Sequence, residues 1–298
     1  MTKDVSKISL LLPTRGRPAL VQRLFRSIVE QTADLENIEI ILYVDEDDTE
    51  SHNLAFDNLN ITKIIGSRLS MGAYNTACLS RSTGDIIILV NDDMVIRTTG
   101  WDKIIRDFDV NVNDQIYLAY GNDMFKKGKL CTFPVLSRKT CEILLKPYPE
   151  EYRGAFIDCH IFDIFKRLEH AGYHRYFYID SIVFEHLHYR TGKAEYDATY
   201  SERGRFDDDA VFISLRNLRQ DSALRLLASI RGEPLKSLQV INALKTNSIN
   251  SINSVSAIIN FFTIFLMDRS LPFRWRTYLF IWFCGRNLVS KGYLPWLE

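Results

Sequence analysis

Short, largely apolar runs alternate with amphipathic stretches along the first hundred residues. Residues 8–12, 38–44 and 86–90 have the length and composition of strands buried on both faces of a sheet. Between them, residues 19–31 and 71–80 place apolar side chains at helical spacing. Because parallel strands need crossover connections, this alternation predicts an α/β fold with a mostly parallel sheet flanked by helices.

The same pattern continues to about residue 200 and then becomes helical only. Further helices are predicted at 97–109 and 155–172, and further strands at 61–65, 116–120 and 177–184. We therefore expect an α/β domain over residues 1–200 and a helical C-terminal region over residues 201–298.

The polar residues after the run at 86–90 are the first candidates for chemistry. Asn91, Asp92 and Asp93 follow this run directly, and strand alternation would direct Asn91 and Asp93 to one face. In open α/β sheets the ligand crevice lies at the carboxyl ends of the strands, and paired oxygens suit Mg²⁺ or Mn²⁺ that also holds phosphates. A plain turn is the alternative, since Asn and Asp favour turns.

Other predicted strands also end in polar residues. The first leads into a basic loop with Arg15 and Arg17, the second ends in the acidic residues 45–48, and the last leads into His186 and His188. An exposed strand end is the alternative interpretation of the two histidines. In a parallel sheet, however, these segments would lie side by side.

Composition excludes some classes of protein. Lys plus Arg and Asp plus Glu are both 37, so no net charge attracts nucleic acid or an acidic partner. The five cysteines lack paired spacing, which argues against a disulfide framework or a structural zinc site and favours a reducing compartment. There is no apolar signal core and no apolar run of about 18 residues, so we expect a cytoplasmic location.

The C-terminal stretch over residues 272–296 interleaves aromatic and basic side chains. Such a composition suits a helical region that packs on the first domain or on a second subunit, as in a homo-oligomer. It equally suits peripheral contact with a membrane surface, here the inner face of the membrane.

Four segments resemble the motifs of family 2 glycosyltransferases with the GT-A fold. They are the loop Leu11 to Pro18, the acidic strand end Val44 to Asp47, the set Gly72, Asn75, Gly84 and Asp85, and the triplet Asn91-Asp92-Asp93. Glu185 to His188 with residues 191–197 is similar to a bacterial and phage subgroup. The resemblance spans roughly residues 5–200.

This resemblance implies metal-dependent, inverting transfer from a nucleoside-diphosphate sugar, with a UDP-sugar favoured, to an acceptor hydroxyl of unknown class. The family's Asp-x-Asp motif has asparagine at its first position here, so Asp93 is the expected Mn²⁺ or Mg²⁺ ligand, helped by Asn91, His186 or His188. The residues implied in donor binding are Pro13, Thr14, Arg15, Arg17, Asp45, Asp47, Gly72, Asn75, Asp85, Asn91 and Asp92.

The general base is expected at the helix predicted over residues 155–172. Asp163 takes the final aspartate of a family pattern, and Asp158 lies near the probable start of the helix. We favour Asp158 and place Asp163 second, because a residue at the helix start can reach further into the cleft.

Two other functions remain open from the sequence. A nucleotidyltransferase acting on sugar phosphates would also use a parallel sheet and carboxylate-held Mg²⁺, and an inactive sugar-nucleotide-binding protein could have lost the first aspartate at Asn91. A dinucleotide-dependent oxidoreductase is disfavoured, because no G-x-G-x-x-G follows the first strand.

Overall fold

The computed structural model describes residues 5–193, 204–235 and 254–294. The chain divides into two compact units. The first comprises Met1–Phe162 and Tyr176–Arg203, and the second comprises Asp163–Arg175 and Gly204–Glu298. None of the helices within the described ranges is both long and apolar enough to cross a membrane.

The first unit contains a mixed sheet, which in the described part of the chain has eight strands in the order β3-β2-β1-β4-β7-β6-β8-β5. The strands are β1 Ile8–Thr14, β2 Ile38–Asp45, β3 Asn60–Gly66, β4 Ile86–Leu89, β5 Met94–Ile96, β6 Leu118–Asn122, β7 Val135–Ser137 and β8 Tyr176–His186. Strands β1 to β4 are parallel, as are β6 and β8. Strand β7 is antiparallel to β4 and β6, and β5 is antiparallel to β8. The predicted α/β fold with a mostly parallel sheet is therefore confirmed.

Helices follow strands β1, β3, β5 and β7 in the first unit. They are α1 Pro18–Gln31, α2 Met71–Arg81, α3 Trp101–Asn111 and α4 Arg138–Ile143, with 3₁₀ turns at Leu35–Asn37, Lys127–Lys129 and Tyr189–Thr191. Leu24 and Ile28 of α1 and Trp101 of α3 join Ile40 and Ile88 of the sheet in one apolar core. The strands of this core are buried on both faces, which explains their continuous apolar runs.

The segment after β4 differs from the prediction. Strand β4 ends at Leu89, and the Met94 amide donates to the Asn91 carbonyl oxygen over 3.0 Å, which closes a turn before β5. Strand alternation therefore does not set the directions of Asn91 and Asp93, and that prediction was wrong. The short strand β5 and Gly100, at φ +70°, precede helix α3. This helix therefore begins at Trp101 and not at residue 97 as predicted.

The second unit is helical in its described residues. Helix α5, Ile157–His170, contributes its first turns to the first unit and its remainder to the second. The helices that follow are α6 Asp209–Ser214, α7 Arg216–Arg231, α8 Ser254–Phe261 with a π-helical continuation Phe262–Leu266, and α9 Phe273–Ser290. Phe212, Phe261, Phe265 and Phe283 stack together in its apolar core.

A buried carboxylate ties the amino ends of the first strands together. Glu39 of β2 lies in register with Ser9 of β1, and its oxygens accept hydrogen bonds from Ser9 Oγ at 2.6 Å and Thr83 Oγ1 at 2.8 Å. Lys7 Nζ lies 2.6 Å from the same carboxylate. Burial by itself would raise the pKa of Glu39, but these hydrogen bonds outweigh it and lower the pKa to about 2.

Replacement of Glu39 by glutamine should lower the free energy of unfolding at pH 7 by about 3 kcal/mol. The folded-state pKa lies below the unfolded-state value, so the ionised carboxylate stabilises the fold fully above about pH 5 and less as the pH falls toward 2. Urea unfolding of wild type and Glu39→Gln at pH 7 and pH 3 should therefore show a difference that shrinks in acid. The exposed Glu36→Gln is the matched control. An equal difference at both pH values would contradict the assignment.

Candidate active site

Asp92 is held by the loop that follows β1. Thr14 Oγ1 donates to Asp92 Oδ2 over 2.9 Å, and Arg17 Nη1 donates to Asp92 Oδ1 over 3.1 Å. Burial raises the pKa of Asp92 to about 6, and the charge of Arg17 opposes this rise. Strands β1 and β4 are neighbours, so these contacts bring together Thr14, Arg17 and Asp92, which were predicted as site residues from two distant segments of the sequence.

Asp93 points to a histidine. His186 Nε2, at the end of β8, lies 3.2 Å from Asp93 Oδ2, and both side chains are buried. The backbone reinforces this pair, since the Leu187 amide donates to the Asp93 carbonyl oxygen over 2.9 Å. The ring of His188 lies 5.0 Å from that of His186. Burial and the neighbouring His186 lower the pKa of His188 to about 4, so His188 is neutral at pH 7.

The sequence analysis missed a loop that supports the histidines. Asp123 Oδ1 accepts hydrogen bonds from the Phe125, Lys126 and Lys127 amides, and Asp123 Oδ2 accepts one from Thr132 Oγ1. The carbonyl oxygen of Asp123 accepts the His186 amide, and the ring of Phe125 stacks 5.8 Å from that of His188. The only signal in the sequence was Gly121-Asn122-Asp123 after a predicted strand, which is typical of any turn.

Asp158 lies in the first turn of α5 and belongs to the first unit. Its Oδ1 accepts the Cys159 amide over 2.7 Å, and the side chain stays partly exposed. Burial raises the pKa of Asp158, while the hydrogen bond from the Cys159 amide opposes the rise. A carboxylate with a raised pKa is better suited to accept a proton near neutral pH.

Asp163 has a different environment. It lies five residues further along α5, about 140° around the helix axis from Asp158. Its fully buried carboxylate accepts hydrogen bonds from Arg167 and Arg219 and from Trp275 Nε1, at 2.8 to 3.0 Å. Burial alone would raise its pKa, but the two arginines lower it. These contacts belong to the core of the second unit, and they leave the Asp163 carboxylate little capacity to accept a proton.

Arg15 joins the two acidic residues at the end of β2. It donates to Asp45 Oδ2 over 2.6 Å and to Asp47 Oδ2 over 2.8 Å. Asp45 is fully buried and also accepts the Tyr74 hydroxyl, whereas Asp47 is exposed. The hydrogen bonds from Asp47 and Asp45 raise the pKa of Arg15 further above its usual range. A permanent cation and two carboxylates thus stand side by side.

The remaining residues predicted to bind the donor lie in β1, in α2 and just before β4. Pro13 is buried in β1, opposite Tyr43 of β2, and Asn75 is buried on α2. A Cβ at Gly72 would overlap the carbonyl oxygen of Pro149, so this glycine allows a close backbone approach. Asp85 precedes β4 and accepts the Lys7 amide over 3.0 Å, at the opposite end of the strand from Asp93. We therefore leave Asp85 out of the site.

The metal-binding capacity of this cluster is limited. No group of three or more His, Cys, Asp or Glu side chains within the described ranges could hold a metal ion by itself. His186 Nδ1 is nevertheless buried and has no hydrogen-bond partner in the part of the chain that the structure describes. Asp93 and His186 fit the Mg²⁺ and Mn²⁺ sites that take one or two ligands from the protein and the others from substrate phosphates and water.

The fold is that of a GT-A glycosyltransferase. The chain belongs to glycosyl transferase family 2, whose model matches residues 9–161, about half of the sequence. The resemblance noted in the sequence is thus confirmed. No curated protein matches the chain.

The solved structures that this chain is similar to include those of two proteins. The mannosyltransferase PcManGT from Pyrobaculum calidifontis, in complex with GDP-Man and Mn²⁺, is 13% identical with a TM-score of 0.47, covering 96% of this chain and 88% of its own. S. aureus TarS is 12% identical with a TM-score of 0.49, covering 95% of this chain and 53% of its own. TarS 1-349 in complex with UDP is 12% identical with a TM-score of 0.44, covering 76% of this chain and 87% of its own. The family assignment depends on the family model alone.

Proposed function

We propose that this glycosyltransferase moves a sugar from a nucleoside-diphosphate sugar to an acceptor hydroxyl, with inversion and with Mn²⁺ or Mg²⁺. The observation that carries this proposal is the Asp93–His186 pair at the carboxyl end of β4, with Asp158 in the first turn of α5 in the same unit. A bound ion would be held by Asp93 and His186, with His188 and Asn91 as further candidate ligands. Such an ion would neutralise charge on the departing diphosphate.

Arg15, Asp45 and Asp47 support a uridine nucleotide. The uracil edge presents one N–H donor between two carbonyl acceptors, so its complement is a carboxylate beside a cation. Asp47 and Arg15 supply this pair at the edge of the sheet, and the buried Asp45 keeps Arg15 in place. Guanine instead presents adjacent donors that a carboxylate alone satisfies.

The acceptor is activated by Asp158 in this proposal. Asp158 accepts the proton of the acceptor hydroxyl, the oxygen forms a bond to the anomeric carbon, and the bond from that carbon to the diphosphate oxygen breaks. A single displacement of this kind inverts the anomeric centre. The raised pKa of Asp158 favours proton transfer near neutral pH. Family membership favours this reaction over the nucleotidyl transfer considered from the sequence.

Nucleotide binding provides the test of this function. With Mn²⁺, UDP or a UDP-sugar at about 100 times its dissociation constant should raise the melting temperature by roughly 5 °C. GDP should cause a smaller shift, and EDTA should reduce both shifts.

Arg15→Lys should weaken the preference for UDP over GDP, because the lysine ammonium cannot bind both carboxylates at once as the forked guanidinium does. Release of nucleoside diphosphate from a donor sugar would then demonstrate transfer. The absence of a shift with every nucleotide diphosphate, or release of pyrophosphate instead, would contradict the proposal.

A further inference from the structure

Helix α8 and its continuation carry an exposed apolar stripe in the second unit. Val255, Ile259 and Phe262 are spaced by four and three residues, so they lie on one side of the helix. They are 67%, 60% and 45% exposed. The opposite side of the helix contributes Phe261 and Phe265 to the core of the second unit. The exposed stripe is therefore separate from the apolar side chains that form this core.

Helix α9 carries a second stripe with the same spacing. Arg274, Tyr278 and Ile281 follow one another at four and three residues, and Tyr278 and Ile281 are 48% and 63% exposed. The rings of Phe262 and Phe280 meet edge to face at 6.3 Å between the two helices. Helices α8 and α9 are therefore neighbours, and we call their exposed residues Val255, Ile259, Phe262, Tyr278 and Ile281 the apolar face.

Basic residues outnumber acidic ones in the segment that carries the apolar face. Residues 254–294 include five arginines and lysines and a single acidic residue, Asp268. Asp268 is buried and bound by Arg167 and Arg216, so its charge is compensated inside the unit. Arg274 lies within the α9 stripe, and Arg269 is exposed in the turn before α9. An occupant of this face would meet apolar side chains bordered by positive charge.

We propose that the apolar face docks on the surface of an anionic lipid bilayer. Exposed aliphatic and aromatic side chains enter the boundary between headgroups and acyl chains, while arginines bind lipid phosphates. A second copy of the chain is the poorer occupant, because a symmetric dimer through this face would set Arg274 against the positive charges of the same patch. Contact with a bilayer would place the transferase at a membrane surface.

Vesicle sedimentation of the full-length protein tests this inference. Wild type should sediment with vesicles of phosphatidylcholine and phosphatidylglycerol and much less with phosphatidylcholine alone, and added salt should weaken the binding. Ile281→Glu and Arg274→Glu should each weaken binding to anionic vesicles roughly tenfold. Both positions are exposed, so circular dichroism should show an unchanged fold. Val110→Glu replaces a similarly exposed apolar residue in the first unit, 53% exposed against 63% for Ile281, and should bind as wild type does.

Three outcomes would overturn the proposal. Wild type could fail to sediment with anionic vesicles, or Ile281→Glu and Arg274→Glu could bind as well as wild type. Alternatively, light scattering could show a dimer that Ile281→Glu dissociates in the absence of vesicle binding, which would assign the face to a second copy. Sugar transfer to a soluble acceptor should be unchanged in both variants, which separates this test from that of the proposed reaction.

Discussion

Replacement of Asp93 by alanine should lower the rate of sugar transfer by about a thousandfold or more. Asp93 is the one carboxylate at the carboxyl end of β4 that faces a histidine, because Thr14 and Arg17 engage Asp92. Its loss would remove the charged ligand from the proposed metal site and would leave His186 without its partner. Neither Asn91 nor the neutral His188 could replace the missing negative charge.

The measurement for Asp93→Ala combines rates with binding. Initial rates of nucleoside diphosphate release give the loss of activity, and calorimetric titration with UDP gives the loss of Mn²⁺-dependent affinity. Asp57→Ala removes an exposed carboxylate on a loop of the same unit and is the matched control. Mn²⁺-dependent binding of wild-type strength in Asp93→Ala, or full wild-type activity in EDTA, would reject the metal site.

Replacement of Asp158 by asparagine should lower the transfer rate by about a hundredfold to ten-thousandfold. Asparagine keeps the shape of the side chain but cannot accept the proton of the acceptor hydroxyl. Donor binding should stay near that of wild type, because Asp158 has no role in holding the nucleotide in this proposal. The loss should therefore appear in kcat rather than in the affinity for UDP.

Asp163→Asn provides the contrast for Asp158→Asn. Asp163 is bound by Arg167, Arg219 and Trp275 in the core of the second unit, so its replacement leaves two buried arginines without part of their countercharge. We expect a lower melting temperature for Asp163→Asn and an unchanged one for Asp158→Asn. The assignment of the base would be wrong if Asp158→Asn turned over like wild type, or if it lost donor binding and activity together.

The two catalytic candidates show where reasoning from the sequence reached its limit. Asp158 and Asp163 share one helix and one residue type, and their order of preference came from position alone. The difference between them depends on Arg219 and Trp275, which lie 56 and 112 residues away from Asp163 in the chain. No local pattern contains that information.

Asp85 and Asp93 show a similar limit at the sheet. Both flank β4, and the family resemblance implied Asp85 in donor binding and Asp93 in metal binding. The structure places Asp85 at the amino end of the strand, beside Lys7, and Asp93 at the carboxyl end, beside His186. Asp93 stays the predicted metal ligand, but the reason given for it, strand alternation, was wrong because Asn91 and Met94 close a turn.

The sequence by itself determined the α/β class, the positions of all but the shortest strands and helices of the first unit, and the polar residues at the strand ends. This was possible because burial of one or both faces of a strand or helix requires apolar residues at regular, local spacing along the chain. Tertiary structure alone decided which of those polar residues meet. The Asp93–His186 pair joins residues 93 positions apart, and it exists because β5, directly after the Asn91–Met94 turn, pairs with β8. Such contacts depend on the order of the strands in the sheet and on the rotation of each helix about its axis. Local residue spacing specifies neither.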